Sequence, residues 1–279
     1  MRLGVMFDRD LPPEELIPFA RALDGTAVDD LWVVEDLGWT GGVSAAATAL
    51  AVTSRLRVGI GITPAPLRNP MLLAMELGNL ARVHPGRLAA GIGHGVQEWM
   101  RQAGAAVPSP LALLEETITA VRALLRGETV TLRGRAVHLD GVSLVHPPAE
   151  PPPVLAGVKG PRSLALSGRV AQGTILPEGV GPEQLPGIAA RIAGDEDHEL
   201  AVFSFLHIGD EADRLAHPTV QGQAAFLGVP PRDVVMAAGT PAEAAAQVRA
   251  MWAAGARTVV LRPLDRDPLP HVTALLSAL

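Results

Sequence analysis

The residues able to do chemistry stand where apolar runs of this sequence end. In Arg87–Gly95, RLAAGIGHG, the run Leu88, Ala89, Ala90 has no polar alternation, and Gly91, Gly93 and Gly95 then remove every other side chain around His94. An imidazole moves protons near neutral pH, and bare backbone beside it admits a flat or bulky group. Glu35 and Asp36 close a second run, Leu31 to Val34, where two adjacent acids are either the solvated start of a loop or part of a site. A third, Leu56 to Ile62, ends in Gly59, Gly61, Ile62, Thr63 and Pro64. A fourth, Val154 to Val158, passes from Gly157 into Lys159-Gly160-Pro161-Arg162-Ser163 and carries the only lysine. Glycine and proline at a helix start leave backbone N–H groups open at the positive end of the helix dipole, which is either a plain helix cap or, with two basic side chains beside it, an anion site. Asp8, Glu178 and Arg262 end further runs.

Elements of two kinds must position these groups. Eight strand-like runs alternate with helical stretches, the pattern of an α/β fold with a parallel sheet. Pro12-Pro13-Glu14-Glu15 and Asn69-Pro70 open helices, and Thr240-Pro241-Ala242-Glu243 is a capping box. Leu111, Leu114, Ile118, Val121 and Leu125 mark a longer amphipathic helix. Glu128 to Val145 breaks the rhythm with turns at Arg133-Gly134 and Asp140-Gly141, and predicts an inserted β-hairpin between the fourth and fifth strands. His138 and His146 there read as surface residues. The expectation is a (β/α)8 barrel forming one domain over 1–279, with the strand ends converging on one mouth. The bare glycine wall with an anion site at its side suits a planar heterocycle with a phosphate tail.

Composition removes competitors. The sequence has 279 residues, no cysteine and a net charge of −6, which excludes thiol chemistry and thiolate zinc and argues against nucleic acid. A metal-hydrolase barrel needs a histidine pair after the first strand, where this chain has Asp8, so no metal is expected. Glycoside hydrolysis through Glu35 and Glu178 lacks aromatic platforms, since tyrosine is absent and aromatic residues make up 3%. No apolar run approaches the ~20 residues of a membrane span, and MRLGVMF is no signal peptide, so a cytoplasmic protein is expected.

The order of WVVED, VGIGITP followed by NP, RLAAGIGHGVQEWM and AGVKGPRSLALSGRVAQGTIL resembles the bacterial luciferase-like superfamily. Within it the chain looks most like the branch of reductases and dehydrogenases that use coenzyme F420, including methylenetetrahydromethanopterin reductase. The resemblance covers nearly the whole chain. It implies a (β/α)8 barrel, a small-molecule substrate, a homodimer through helices near the second and third strands, and a cis peptide at Gly61-Ile62 behind the cofactor ring. It implies that Gly93, Gly95, Gly157, Lys159, Gly160 and Pro161 hold the cofactor's side chain and phosphate, and that Glu35 and Asp36 lie near the reacting carbon. The expected reaction is hydride transfer between the deazaflavin and a small organic molecule, with His94 as first and Glu35 as second acid or base. With FMN instead, the same wall would serve a monooxygenase; a non-catalytic flavin-binding barrel is the third reading. The deazaflavin-dependent sugar-phosphate dehydrogenases have an acid–histidine pair after the second strand and a glutamate in place of His94. Glu35-Asp36 and His94 depart from both, which weighs against a sugar phosphate.

Overall fold

The computed structural model describes residues 1–279. Its strands are β1 (Arg2–Met6), β2 (Asp30–Val33), β3 (Arg57–Pro64), β4 (Leu88–Gly93), the hairpin pair β5 (Val130–Arg133) and β6 (His138–Val142), then β7 (Val154–Gly157), β8 (Gly173–Leu176), β9 (Glu199–Ile208), β10 (Ala237–Gly239) and β11 (Thr258–Pro263). Eight of them pair in parallel in the order β9-β11-β1-β2-β3-β4-β7-β8, and β8 pairs with β9 to close the ring. This is the (β/α)8 barrel expected from the alternation of runs. β5 and β6 form the antiparallel insertion outside it.

The helices are α1 (Leu16–Asp24), α2 (Gly42–Val52), α3 (Pro70–Val83), α4 (Gln97–Gln102), α5 (Pro110–Leu125), α6 (Pro161–Val170), α7 (Leu185–Ile192), α8 (Glu211–Ala216), α9 (Pro218–Leu227), α10 (Pro241–Ala253) and α11 (Pro268–Leu276). Their starts follow the local chemistry: the Asn69 side chain accepts from Met71 N–H, and Thr240 and Glu243 form a reciprocal capping box. No helix is long and apolar enough to cross a membrane. β10 was not anticipated. Its three small residues carry no strand signature, and it pairs only with the far end of β9, Leu206 to Ile208.

The larger core lies between the barrel and its helices. A separate interior core includes Met6, Trp32, Leu155, Ile175 and Phe203. Trp32 and Phe203 meet edge to face at 5.5 Å, so the barrel is filled rather than hollow. An ionic cluster seals the N-terminal end: Arg57 binds Asp30 through Nη2 at 2.7 Å and Glu199 at 2.6 and 2.9 Å, and Thr258 donates to Glu199 at 2.7 Å. Burial alone would raise the Glu199 carboxyl, but hydrogen bonds and charge from Arg57 outweigh it and hold the group below its ordinary value.

Candidate functional site

The C-terminal mouth of the barrel contains a cavity of about 540 Å³, within the size range of small-molecule sites. Glu35 and Asp36 after β2, Gly61 and Ile62 in β3, His94 and Gly95 after β4, and Gly157 and Lys159 at β7 all line it. A wider cleft of about 1070 Å³ lies to one side among the loops after β8, β9 and β10, but it has none of these residues on its walls.

His94 is half-buried, with Nδ1 3.3 Å from the Pro110 carbonyl oxygen. That contact assigns the proton to Nδ1 and leaves Nε2 as the basic nitrogen. Burial holds the imidazole below its ordinary pKa, so it is neutral at pH 7. The two acids are less free. Glu35 accepts from Arg68 Nε at 3.1 Å, Arg68 Nη2 at 2.7 Å and the Gly42 N–H at 2.7 Å, at the start of α2. Glu35 in turn holds the Arg68 guanidinium above its usual value, with Glu76 adding to the effect. Asp36 is ion-paired with Arg9. Of the three groups singled out for acid–base work, His94 alone is without an ionic partner.

The glycines divide by the side chains they face. A Cβ on Gly59 would lie 2.3 Å from the Trp32 ring, and one on Gly61 2.8 Å from Phe203. Gly91 would meet the Ile60 carbonyl oxygen at 2.2 Å, Gly93 the Ile62 side chain at 2.9 Å and Gly157 the same side chain at 2.4 Å. The bare wall read from the sequence is therefore largely filled from within: its glycines make room for Trp32, Phe203 and Ile62. Gly91 and Gly93 do not line the cavity, and neither does Thr63, which is buried. Gly61 and Ile62 do reach it, joined by a cis peptide bond. Gly95, at φ +67°, turns the chain out of β4.

Gly160 and Pro161 stand outside the cavity wall, exposed at the first turn of α6. No side chain caps that helix, so its first N–H groups remain open. Lys159 spans from there to the Phe226 ring on α9, 5.4 Å away, and forms one rim. A second stretch of rim is aromatic. Arg9 lies 4.5 Å over Trp39 and 6.0 Å from Trp99, and the two indoles are 6.1 Å apart.

Sequence reasoning passed over Arg9, Trp99 and Phe226. Trp99 lies on a polar helical turn five residues beyond His94, and only the rarity of aromatic residues in this chain marked it. Arg262, collected at a strand end but given no role, lies on the cavity floor. It donates from Nε to Asp8 Oδ2 at 2.6 Å and stands 3.7 Å from Glu178. Burial works against its charge, but Asp8, Glu178 and Asp10 more than compensate and raise it above the ordinary arginine value.

These observations define a (β/α)8 barrel with a ligand-sized mouth, one free proton carrier and an open helix start beside a lysine. The chain belongs to the luciferase-like monooxygenase family, whose match runs over residues 1–269. It is 28% identical over 177 residues to the 5,10-methylenetetrahydromethanopterin reductase of Methanolobus tindarius, covering 63% of this chain and 54% of that protein. It is also 28% identical over 227 residues to an F420-dependent glucose-6-phosphate dehydrogenase of Nakamurella multipartita, covering 72% and 65%. The chain thus spans between about half and two thirds of the length of these curated relatives. Among solved structures, an F420-dependent secondary alcohol dehydrogenase in complex with an F420-acetone adduct superposes with a TM-score of 0.85 at 18% identity, over 100% of this chain and 98% of that one. A Streptomyces bottropensis monooxygenase gives 0.81 at 19% identity, over 100% and 98%.

Proposed function

We propose that the barrel is a coenzyme F420-dependent oxidoreductase that transfers a hydride between the deazaflavin and a small organic substrate. The observation that carries this reading is the mouth itself, in which the Gly61–Ile62 bulge, the Lys159 rim and His94 face one cavity. Relatives named as a methylenetetrahydromethanopterin reductase and as an F420-dependent dehydrogenase support it. The residues fit the cofactor: Ile62, Ile175, Val158 and Phe203 give apolar walls for a tricyclic ring, while Lys159 and the open N–H groups of α6, with Gly160 and Pro161, suit a phosphate.

When bound, the deazaflavin supplies the carbon that gives or takes the hydride. The chain's part is to hold substrate against that ring, exclude water and move one proton at His94 Nε2. Glu35, fixed by three donors, and Asp36, fixed by Arg9, set the shape and field of the wall rather than carry protons. The whole barrel, 1–279, works as one domain in the cytoplasm. It pairs as a homodimer through α2 and α3, where Ala51, Leu72 and Met75 are exposed on the outer faces.

The test is a fluorescence titration with F420 and, separately, with FMN. Saturable binding of F420 with none of FMN is the expected result. Binding of FMN alone would replace this reading with a flavin monooxygenase, and binding of neither would remove the cofactor role from the mouth.

A further inference from the structure

We propose that the indole face of Trp99 selects the substrate, and that the site takes a planar aromatic ring, uncharged or cationic and without a phosphate. This rests on the hydride-transfer reading above and names the substrate class for the same site. The chain spends aromatic residues sparingly, with four tryptophans and no tyrosine. Trp32 fills the barrel, and Trp252 is half-buried with its indole N–H on the Arg2 carbonyl oxygen at 3.2 Å. The other two meet at the mouth. Trp99 lines the cavity from α4 while remaining half-exposed, so its ring is not consumed by the core.

Its backing is built. Trp39 packs behind it at 6.1 Å and is held by its own N–H to Asp10 Oδ1 at 3.0 Å. Arg9 lies against both rings and is anchored by Asp36. An aromatic face fixed in advance loses little freedom when a second ring stacks on it. The charges set the rest of the preference. Glu35, Asp36 and Glu178 line the cavity, with Asp8 and Asp10 beside them. Three arginines, Arg9, Arg68 and Arg262, pair with these five acids, which leaves the acids in excess. Lys159 lines the same cavity, with its ammonium 5.4 Å from the Phe226 ring. An anionic group on the substrate would meet an excess of carboxylates, with Lys159 the one cation lining the cavity that no acid pairs.

The experiment titrates quinoline, N-methylquinolinium, quinoline-4-carboxylate and glucose 6-phosphate into F420-saturated protein by calorimetry, for the wild type, Trp99→Ala and Trp99→Phe. Quinoline and N-methylquinolinium should bind, with affinity reduced about tenfold or more in Trp99→Ala and kept within about threefold in Trp99→Phe. Quinoline-4-carboxylate should bind about tenfold more weakly than the cation, and glucose 6-phosphate more weakly still. Wild-type affinity for quinoline in Trp99→Ala, or glucose 6-phosphate binding as tightly as quinoline, overturns the proposal. F420 fluorescence, read in each variant, separates the two claims. If the wild type takes up no F420, the cofactor reading falls, and the same series on the cofactor-free protein still decides whether Trp99 selects the ring.

Discussion

His94 carries the heaviest chemical assignment on the smallest scale. Replacing it with glutamine keeps a polar group of similar reach but removes the proton carrier, and should lower the chemical step by about 10²- to 10⁴-fold. F420 affinity should change little, because the rim that suits the phosphate is built on β7 and α6. Stopped-flow single turnover beside a cofactor titration measures both. The pH dependence has a definite sign. Burial lowers the folded imidazole below its ordinary 6.5, so the unfolded chain takes up this proton first as the pH falls. The contribution of His94 to stability is present above 6.5 and declines below it. Turnover that needs neutral Nε2 should persist below pH 6.5 and fall only at the lower folded value, and a pH–rate profile that breaks above 6.5 would contradict the assignment.

Between residues and barrel, the glycines decide how strands pack. Gly59→Ala pushes a methyl into Trp32, a ring the interior cannot move, and should cost about 1–3 kcal/mol or more. Gly187→Ala, on the exposed face of α7 with nothing within 4 Å, should instead stabilise by about 0.4–1 kcal/mol. Denaturant midpoints of the two variants should move in opposite directions. The same contrast explains what could be read in the sequence. All eight barrel strands and the hairpin were visible, because each is an apolar or alternating run with turn residues at its ends. Which way a glycine faces was not visible, since that depends on strand parity and on partners such as Trp32, 27 residues before Gly59. β10 was silent because Ala-Ala-Gly pairs through backbone alone. At the mouth, His94, Glu35 and Lys159 could be found by type and position. The engagement of Glu35 by Arg68, 33 residues away, could not.

At the scale of the molecule, the α3 face tests assembly. Met75→Arg places a charge where the dimer would bury a side chain, and should shift the protein from dimer to monomer in analytical ultracentrifugation. A wild-type monomer would remove the homodimer from the proposal. Acid stability depends on Asp24, which ties the end of α1 to the turn before β3 by accepting from the N–H groups of Ser54, Arg55 and Leu56. Slight burial opposes the charge, but these bonds prevail and lower the pKa from 3.8 to about 2. Its contribution is complete above 3.8 and lost as the pH falls through about 2. Asp24→Ala should therefore be less stable at neutral pH, and its acid-unfolding curve should flatten between those two values.

The ionic seal of Arg57, Asp30 and Glu199 has a kinetic corollary. With the floor closed and the interior filled by Trp32 and Phe203, the cavity opens at the C-terminal end, so under the proposed function cofactor and substrate enter from the same side. If the two then seat one above the other, exchange of the inner one should slow as the outer one becomes abundant, which release of F420 at rising substrate concentration would measure.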